Sequence, residues 1–95
     1  MRLLSWNCQG LGNSWTIRSL HKLVRDQAPT ACFLMETRLD KEGFNKHCNE
    51  LPFPNKFIVK KPYGGGGLAL IWKSEVKMEV INFTDNHILA RVEEE

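Results

Sequence analysis

Apolar positions fall in short runs, and their spacing changes partway along the chain. Residues 2–7 (RLLSWN) form a largely apolar run closed by the glycines of CQGLGN, which predicts a strand running into a loop with Asn7 at its exit. Behind Asn13 or Ser14 as cap, Ile17, Leu20, Leu23 and Val24 recur at helical spacing until Pro29 blocks continuation. Residues 30–35 (TACFLM) then read as a second, fully apolar strand, with Glu36 at its exit. Strand, helix, strand is a βαβ unit, in which the two strands lie parallel and are joined by a right-handed crossover. Their carboxyl ends share one edge of the sheet, so Asn7 and Glu36, 29 positions apart, are expected on the rim where open α/β sheets place ligands.

The second half reads differently. Asp40 caps a predicted helix carrying Phe44, Cys48 and Leu51, stopped by Pro52 and Pro54. Residues 56–60, 68–72, 76–83 and 87–92 are short strand-like runs between turn residues, which predict an antiparallel meander. Val76, Met78 and Val80 alternate with Lys77 and Glu79, and Ile88, Ala90 and Val92 with Leu89 and Arg91, so each of these strands turns one face to a core. Trp6, Trp15 and Trp72 are expected in the core or partly buried.

Composition narrows the class. With 95 residues, 42% hydrophobic and 25% charged, the chain is a globular unit with room for one core. Thirteen basic against eleven acidic side chains give a net +2, too slight to mark a nucleic-acid binder by charge alone; setting aside Glu93, Glu94 and Glu95 leaves thirteen against eight, a mildly basic remainder. Cys8, Cys32 and Cys48 form neither a CxxC pair nor a zinc spacing, which fits a reducing setting. No signal peptide or membrane-spanning run is legible, so a soluble intracellular protein is expected, nuclear if it acts on DNA.

Several residues are candidates for chemistry. Glu36, a carboxylate at the open end of an apolar strand, is an oxygen ligand suited to Mg²⁺, although a solvated loop acid would look the same. Asn7 can hold a phosphate oxygen or orient a carboxylate, or simply supply turn chemistry before Gly10 and Gly12. Residues 64–67 are four glycines, but no Lys-Ser or Lys-Thr follows, so the P-loop pattern fails and a flexible hairpin connection is expected. Lys60, Lys61 and Tyr63 flank it and are candidates to touch a nucleic-acid backbone, with ordinary solvated lysines as the plainer reading. Asp85 and His87 have the makings of an acid and base pair, yet turn chemistry accounts for Asp-Asn equally well.

LLSWNCQGLGN, ACFLMETRL and GGLALIWK together resemble the N-terminal part of the endonuclease/exonuclease/phosphatase superfamily, and within it the endonuclease domain of plant LINE-type (non-LTR) retrotransposons. GGLALIWK and Asn86-His87-Ile88 mark that plant branch rather than catalysis. The resemblance implies a Mg²⁺-dependent (or Mn²⁺-dependent) hydrolase of DNA phosphodiesters, with Glu36 as metal-binding glutamate and Asn7 as active-site asparagine and second metal contact; Gln9 stands where some relatives have Asp or Asn. It also implies an α/β (α+β) fold, a four-layer sandwich of the deoxyribonuclease I-like type, of which residues 1–95 resemble about the first half. The family's later segments supply a Tyr or His, an Asp-x-Asn pair and a closing Ser-Asp-His, so this stretch alone is expected to show little nuclease activity and marginal stability. A full-length relative would carry a C-terminal reverse transcriptase domain, and an open sheet edge would favour self-association. The alternatives are a noncatalytic remnant that binds nucleic acid weakly, or a fragment of a phosphatase or exonuclease of the same superfamily.

Overall fold

The structure, a computed structural model, describes residues 1–61 and 65–93. The elements run β1 (Leu3–Asn7), α1 (Ser14–Gln27), β2 (Ala31–Met35), α2 (Lys41–Cys48), β3 (Asn55–Val59), β4 (Leu68–Trp72), β5 (Lys77–Phe83) and β6 (Ile88–Glu93). Both helix starts follow from their caps. The extended Asn13 accepts from the Trp15 N–H at 2.8 Å, and Asp40 accepts from the Gly43 N–H at 2.7 Å. Helix α1 ends at Ala28, which turns left-handed (φ 46°) and donates its N–H to the Val24 carbonyl, and Pro29 prevents another turn.

Strands β1, β2, β4 and β3 form one sheet in that order. β1 and β2 are parallel, with Asn7 beside Met35, as a βαβ unit requires. β4 runs antiparallel to both β2 and β3. The predicted antiparallel meander forms in two pieces: β3 pairs with β4 and β5 with β6, but β4 turns to β2 instead of β5, and β5 and β6 make a separate two-stranded sheet. The reason lies in the side chains. LALIW in β4 is apolar at every position and its first four residues are buried, so this strand belongs at the centre of a sheet covered on both faces, between β2 and β3. β5 and β6 alternate, half-buried with exposed, and belong to a sheet with one wet face. A register shift between Val80 and Asn82 breaks that alternation beyond Ile81, so that Asn82 rather than Ile81 pairs with Leu89.

Three layers result. On one face of the four-stranded sheet, α1 and α2 bury Leu20, Val24, Phe44 and Cys48 against Cys32, Leu34, Ala69 and Ile71. On the other, Leu3, Phe33 and Leu70 face Met78, Ala90 and Val92 of the second sheet, and Phe57 meets Phe83 edge to face with centroids 4.9 Å apart. The fold is mixed α/β, as expected. Trp15 departs from expectation: it is 73% exposed on α1, where the Arg18 guanidinium lies 5.5 Å from its ring centre. Among the described residues, no helix is long and apolar enough to cross a membrane.

Candidate functional site

The carboxyl edge of the four-stranded sheet is tied by backbone hydrogen bonds that run from loop to loop. After β1, Cys8, Gly10 and Leu11 donate to the carbonyls of Met35, Glu36 and Thr37. After β2, Thr37 and Arg38 donate in turn to Gly67 and Gly66, the residues that lead into β4. Gly66 and Gly67, which end the hairpin connection between the antiparallel strands β3 and β4, are thus docked onto the loop after β2. Glu36 and Arg38 both hold positive φ, at 52° and 57°, a conformation a side-chain-bearing residue adopts only where its surroundings impose it. Thr37 between them is fully buried and fixes the spacing: a Cβ on Gly67 (φ +94°) would come within 2.8 Å of its hydroxyl.

Above this edge lies a cleft of about 520 Å³. Asn7 and Glu36 both line it, so the two residues expected on one rim do share it. Met35 and Leu68 contribute its apolar part, Lys61 and the glycine loop one flank, and Asp85 with Asn86 the side formed by the second sheet. Asn7 is held by an Asx turn in which its Oδ1 accepts from the Gln9 N–H at 3.3 Å, leaving its amide nitrogen as a donor. A larger depression, about 680 Å³, lies near Met1, Thr30 and Glu75, where β2 begins rather than ends. The carboxyl edge is where this architecture presents ligands.

The remaining candidates separate. Lys61 lines the cleft, whereas Lys60 lies beside it, in a pit of about 80 Å³ shared with Lys61, Arg38, Leu39 and residues 65–67. Tyr63 lies outside the described residues. Asp85 and His87 do not pair: His87 shares a 2.9 Å hydrogen bond with Thr84 and lies 3.4 Å from the Asn82 Oδ1, stabilising the β5–β6 turn, while Asp85 lines the cleft. Arg38 escaped the sequence reading, and Asp85 entered it only as a partner for His87, not as a neighbour of Glu36. Arg38 lies two residues past Glu36 on the same strand exit, where its place was open to the sequence reading, whereas Asp85 reaches this edge only through the second sheet.

Oxygen donors dominate the site. The Glu36 and Asp85 carboxylates and the Asn7 Oδ1 are oxygen donors of the kind a hard cation takes, and among the described residues no imidazole or thiol lines the cleft. Nor do three His, Cys, Asp or Glu side chains converge, among the described residues, into a complete cage. Such donors suit a hard divalent cation that keeps water and substrate oxygens in its shell. Cys8, next to Asn7, is buried, and its thiol is pushed up to about 12 by that burial, then by Cys48, Cys32 and Glu36. It is a packing group rather than a nucleophile.

No curated protein matches the chain. Residues 4–93, which run from β1 to the end of β6 and include every side chain of the cleft, match the Endonuclease/Exonuclease/phosphatase family. Divalent-metal hydrolysis of phosphate esters is general in that family, in keeping with the oxygen donors gathered at this edge. With nearly the whole sequence matched and the fold mixed α/β, the chain belongs to the Endonuclease/Exonuclease/phosphatase family.

Proposed function

We propose that the cleft is the metal-holding part of a phosphodiesterase site that acts on DNA, with Mg²⁺ as the ion and Mn²⁺ as a substitute. The observation that carries this reading is the meeting of Asn7 and Glu36 in one cleft from the ends of two parallel strands. Glu36 would hold the ion, and Asn7 would contact it or a phosphate oxygen through the amide that the Asx turn orients. A bound divalent ion supplies charge stabilisation on the phosphate and the leaving oxygen. The chain's own contribution is positional: the positive-φ turn at Glu36, clamped by the Gly10 and Thr37 hydrogen bonds, keeps the carboxylate at the sheet edge. An endonuclease of retrotransposon origin is the specific form we favour, on the likeness of LLSWNCQGLGN and GGLALIWK to that branch.

No histidine lines the cleft among the described residues. Absence of a general base typically lowers a rate by 10² to 10⁴-fold, so slow turnover is expected of this chain by itself. Metal binding is the sharper test. Mn²⁺ titrated into the ¹⁵N-labelled chain should broaden the amide signals of Asn7, Glu36 and Asp85 before others, and Glu36→Gln should abolish that selectivity while leaving the rest of the spectrum in place. Uniform broadening in the unaltered chain would refute the site. Nicking of supercoiled plasmid that is fast and unaffected by Glu36→Gln would refute the role of Glu36.

A further inference from the structure

Among the described residues, the strands with an open edge are β1 and β3 in the four-stranded sheet and β5 and β6 in the second. Proteins guard such edges with charges, prolines or bulges, because an unguarded edge pairs with another chain. β3 carries Lys56, β5 carries Lys77, Glu79 and the register shift, and β6 carries Arg91 and Glu93. β1, which reads LLSWN, carries none of these devices.

The backbone of β1 is phased for a partner. The Arg2 carbonyl accepts from the Thr30 and Ala31 N–H groups, and Cys8 donates to the Met35 carbonyl, so both residues turn their polar groups inward, toward β2. Alternate residues of a strand direct these groups to opposite sides. Leu4 and Trp6 therefore also bond β2, and Leu3, Ser5 and Asn7 present their N–H and C=O groups at the open edge. A groove of about 340 Å³ runs along that edge between the two sheets, with Met1, Leu3 and Ser5 on one side and Ile88, Leu89 and Ala90 on the other. Met1, Leu3 and Leu89 are three of the six large apolar side chains exposed among the described residues, so the exposed apolar surface is concentrated beside the one unguarded edge.

We propose that β1 pairs antiparallel with β1 of a second copy of this chain, about a two-fold axis at Ser5. That register matches every outward group: Ser5 faces the partner's Ser5, Leu3 the partner's Asn7, and Asn7 the partner's Leu3, each a pair that exchanges both of its N–H···O bonds. Between them Leu4 and the partner's Trp6 take the closer, non-hydrogen-bonded positions, on the face that packs against the helical core. A slip of two residues either way leaves Leu3 or Asn7 unmatched. A stable pair of chains buries about 1,200 Å² or more, which exceeds what a short ladder supplies, so the two grooves must also meet along the axis and cover Met1, Leu3 and Leu89. A two-fold contact is closed, and with one unguarded edge in each chain the assembly ends at a dimer. The inference does not depend on the metal cleft, because Glu36 takes no part in it.

Sedimentation equilibrium of the full chain over a concentration series tests it, and the mass should rise from one copy to two and stop there. Ser5→Pro removes an outward donor while sparing the bonds to β2, and Leu3→Lys sets a charge on the edge at a position already 53% exposed. Each change acts twice in a symmetric pair and should weaken the dimer about tenfold or more. Glu79→Ala on β5 and Glu36→Gln should leave the dimer unchanged. Thermal melting checks that each variant keeps its fold, and Leu3→Lys decides alone if the proline variant does not. Hydrogen exchange locates the contact: the Leu3, Ser5 and Asn7 amides should exchange freely in dilute solution and slowly where the dimer forms, and Leu4 and Trp6 slowly in both. A mass of one copy at every concentration would overturn the proposal. So would growth beyond two copies, a dimer indifferent to Leu3→Lys, or a dimer in which the Leu3, Ser5 and Asn7 amides still exchange freely.

Discussion

The two faces of the four-stranded sheet are covered very differently. Beneath the helices, Leu20, Leu34 and Phe44 are 0% exposed, and Phe53 and Ile71 are 1% exposed. Facing the second sheet, the packing is looser: Leu3 is 53% exposed and Phe83 54%, and Met78, Val80 and Ala90 are only half-buried. Stability is thus concentrated on the helical side. The cleft draws Asn7 and Glu36 from the well-packed sheet and Asp85 and Asn86 from the lightly packed hairpin. One wall is anchored by the core and by loop-to-loop hydrogen bonds, and the other rests on a few edge contacts, the arrangement expected where a substrate must enter.

Truncation on each face is the strongest way to break this contrast. Phe44→Ala empties a fully buried site against Cys48 and the central strands and should cost about 3–5 kcal/mol, enough to unfold most of a domain this size. Phe83→Ala removes one edge-to-face contact with Phe57 from a half-exposed position and should cost about 1 kcal/mol. Urea midpoints measure both. Equal losses would show that the second sheet is as integral to the core as the helices are.

The thiols sharpen the same contrast through pH. Cys8 and Cys32 are raised to about 12 and Cys48 to about 11, chiefly by burial, and all three belong to the helical core. The folded chain therefore holds these protons after the unfolded chain, with thiols near 9.0, has begun to release them. Their contribution to stability is whole below about pH 9 and is lost progressively as pH rises to 11 and 12. Urea midpoints taken across that window should fall, and Cys32→Ala should flatten the fall by removing one titrating group. A thiol reagent at about pH 8, below the unfolded range, should react only as fast as the helical layer opens. Rapid labelling in the native state would place the cysteines outside the protected core.

Gly67→Ala acts at the clamp between the two walls. The new Cβ would lie 2.8 Å from the Thr37 hydroxyl and 3.3 Å from the Arg38 nitrogen, at a φ of +94° that side chains avoid. A cost on the order of 2 kcal/mol is expected, together with displacement of Glu36, since residues 36–38 have no room to yield without breaking the bonds to Gly66 and Gly67. Mn²⁺ broadening should lose its selectivity in this variant even though every candidate ligand is intact. A folded Gly67→Ala chain that binds Mn²⁺ normally would show that the clamp does not position the carboxylate.

What the sequence disclosed follows this division. The βαβ unit, both caps and the shared rim of Asn7 and Glu36 were legible because each rests on spacing within one element or on the geometry of a parallel pair. The insertion of β4 between β2 and β3 was not, because alternation says which face of a strand is buried and not which strand lies beside it. The uninterrupted apolar run of β4 is a signal for a central position, which a meander also gives it between β3 and β5, and it does not say that β2 takes the place of β5. The place of Asp85 stayed hidden for a related reason: it depends on how the second sheet docks, and docking leaves no period in the sequence.

The smallest expected effect has the opposite sign. Glu36 is conformationally strained at φ 52°, where glycine is not, and its side chain makes no hydrogen bond among the described residues that would offset the strain. Relief of that strain by Glu36→Gly is partly offset by the greater freedom of glycine in the unfolded chain, which leaves a net stabilisation on the order of 0.5 kcal/mol. The same variant should lose selective Mn²⁺ binding. Stability rising while the metal signal disappears is what a residue retained for chemistry rather than for packing predicts. A loss of stability in Glu36→Gly would instead make the carboxylate part of the scaffold, and the anchored wall of the cleft would then have to be explained by structure alone.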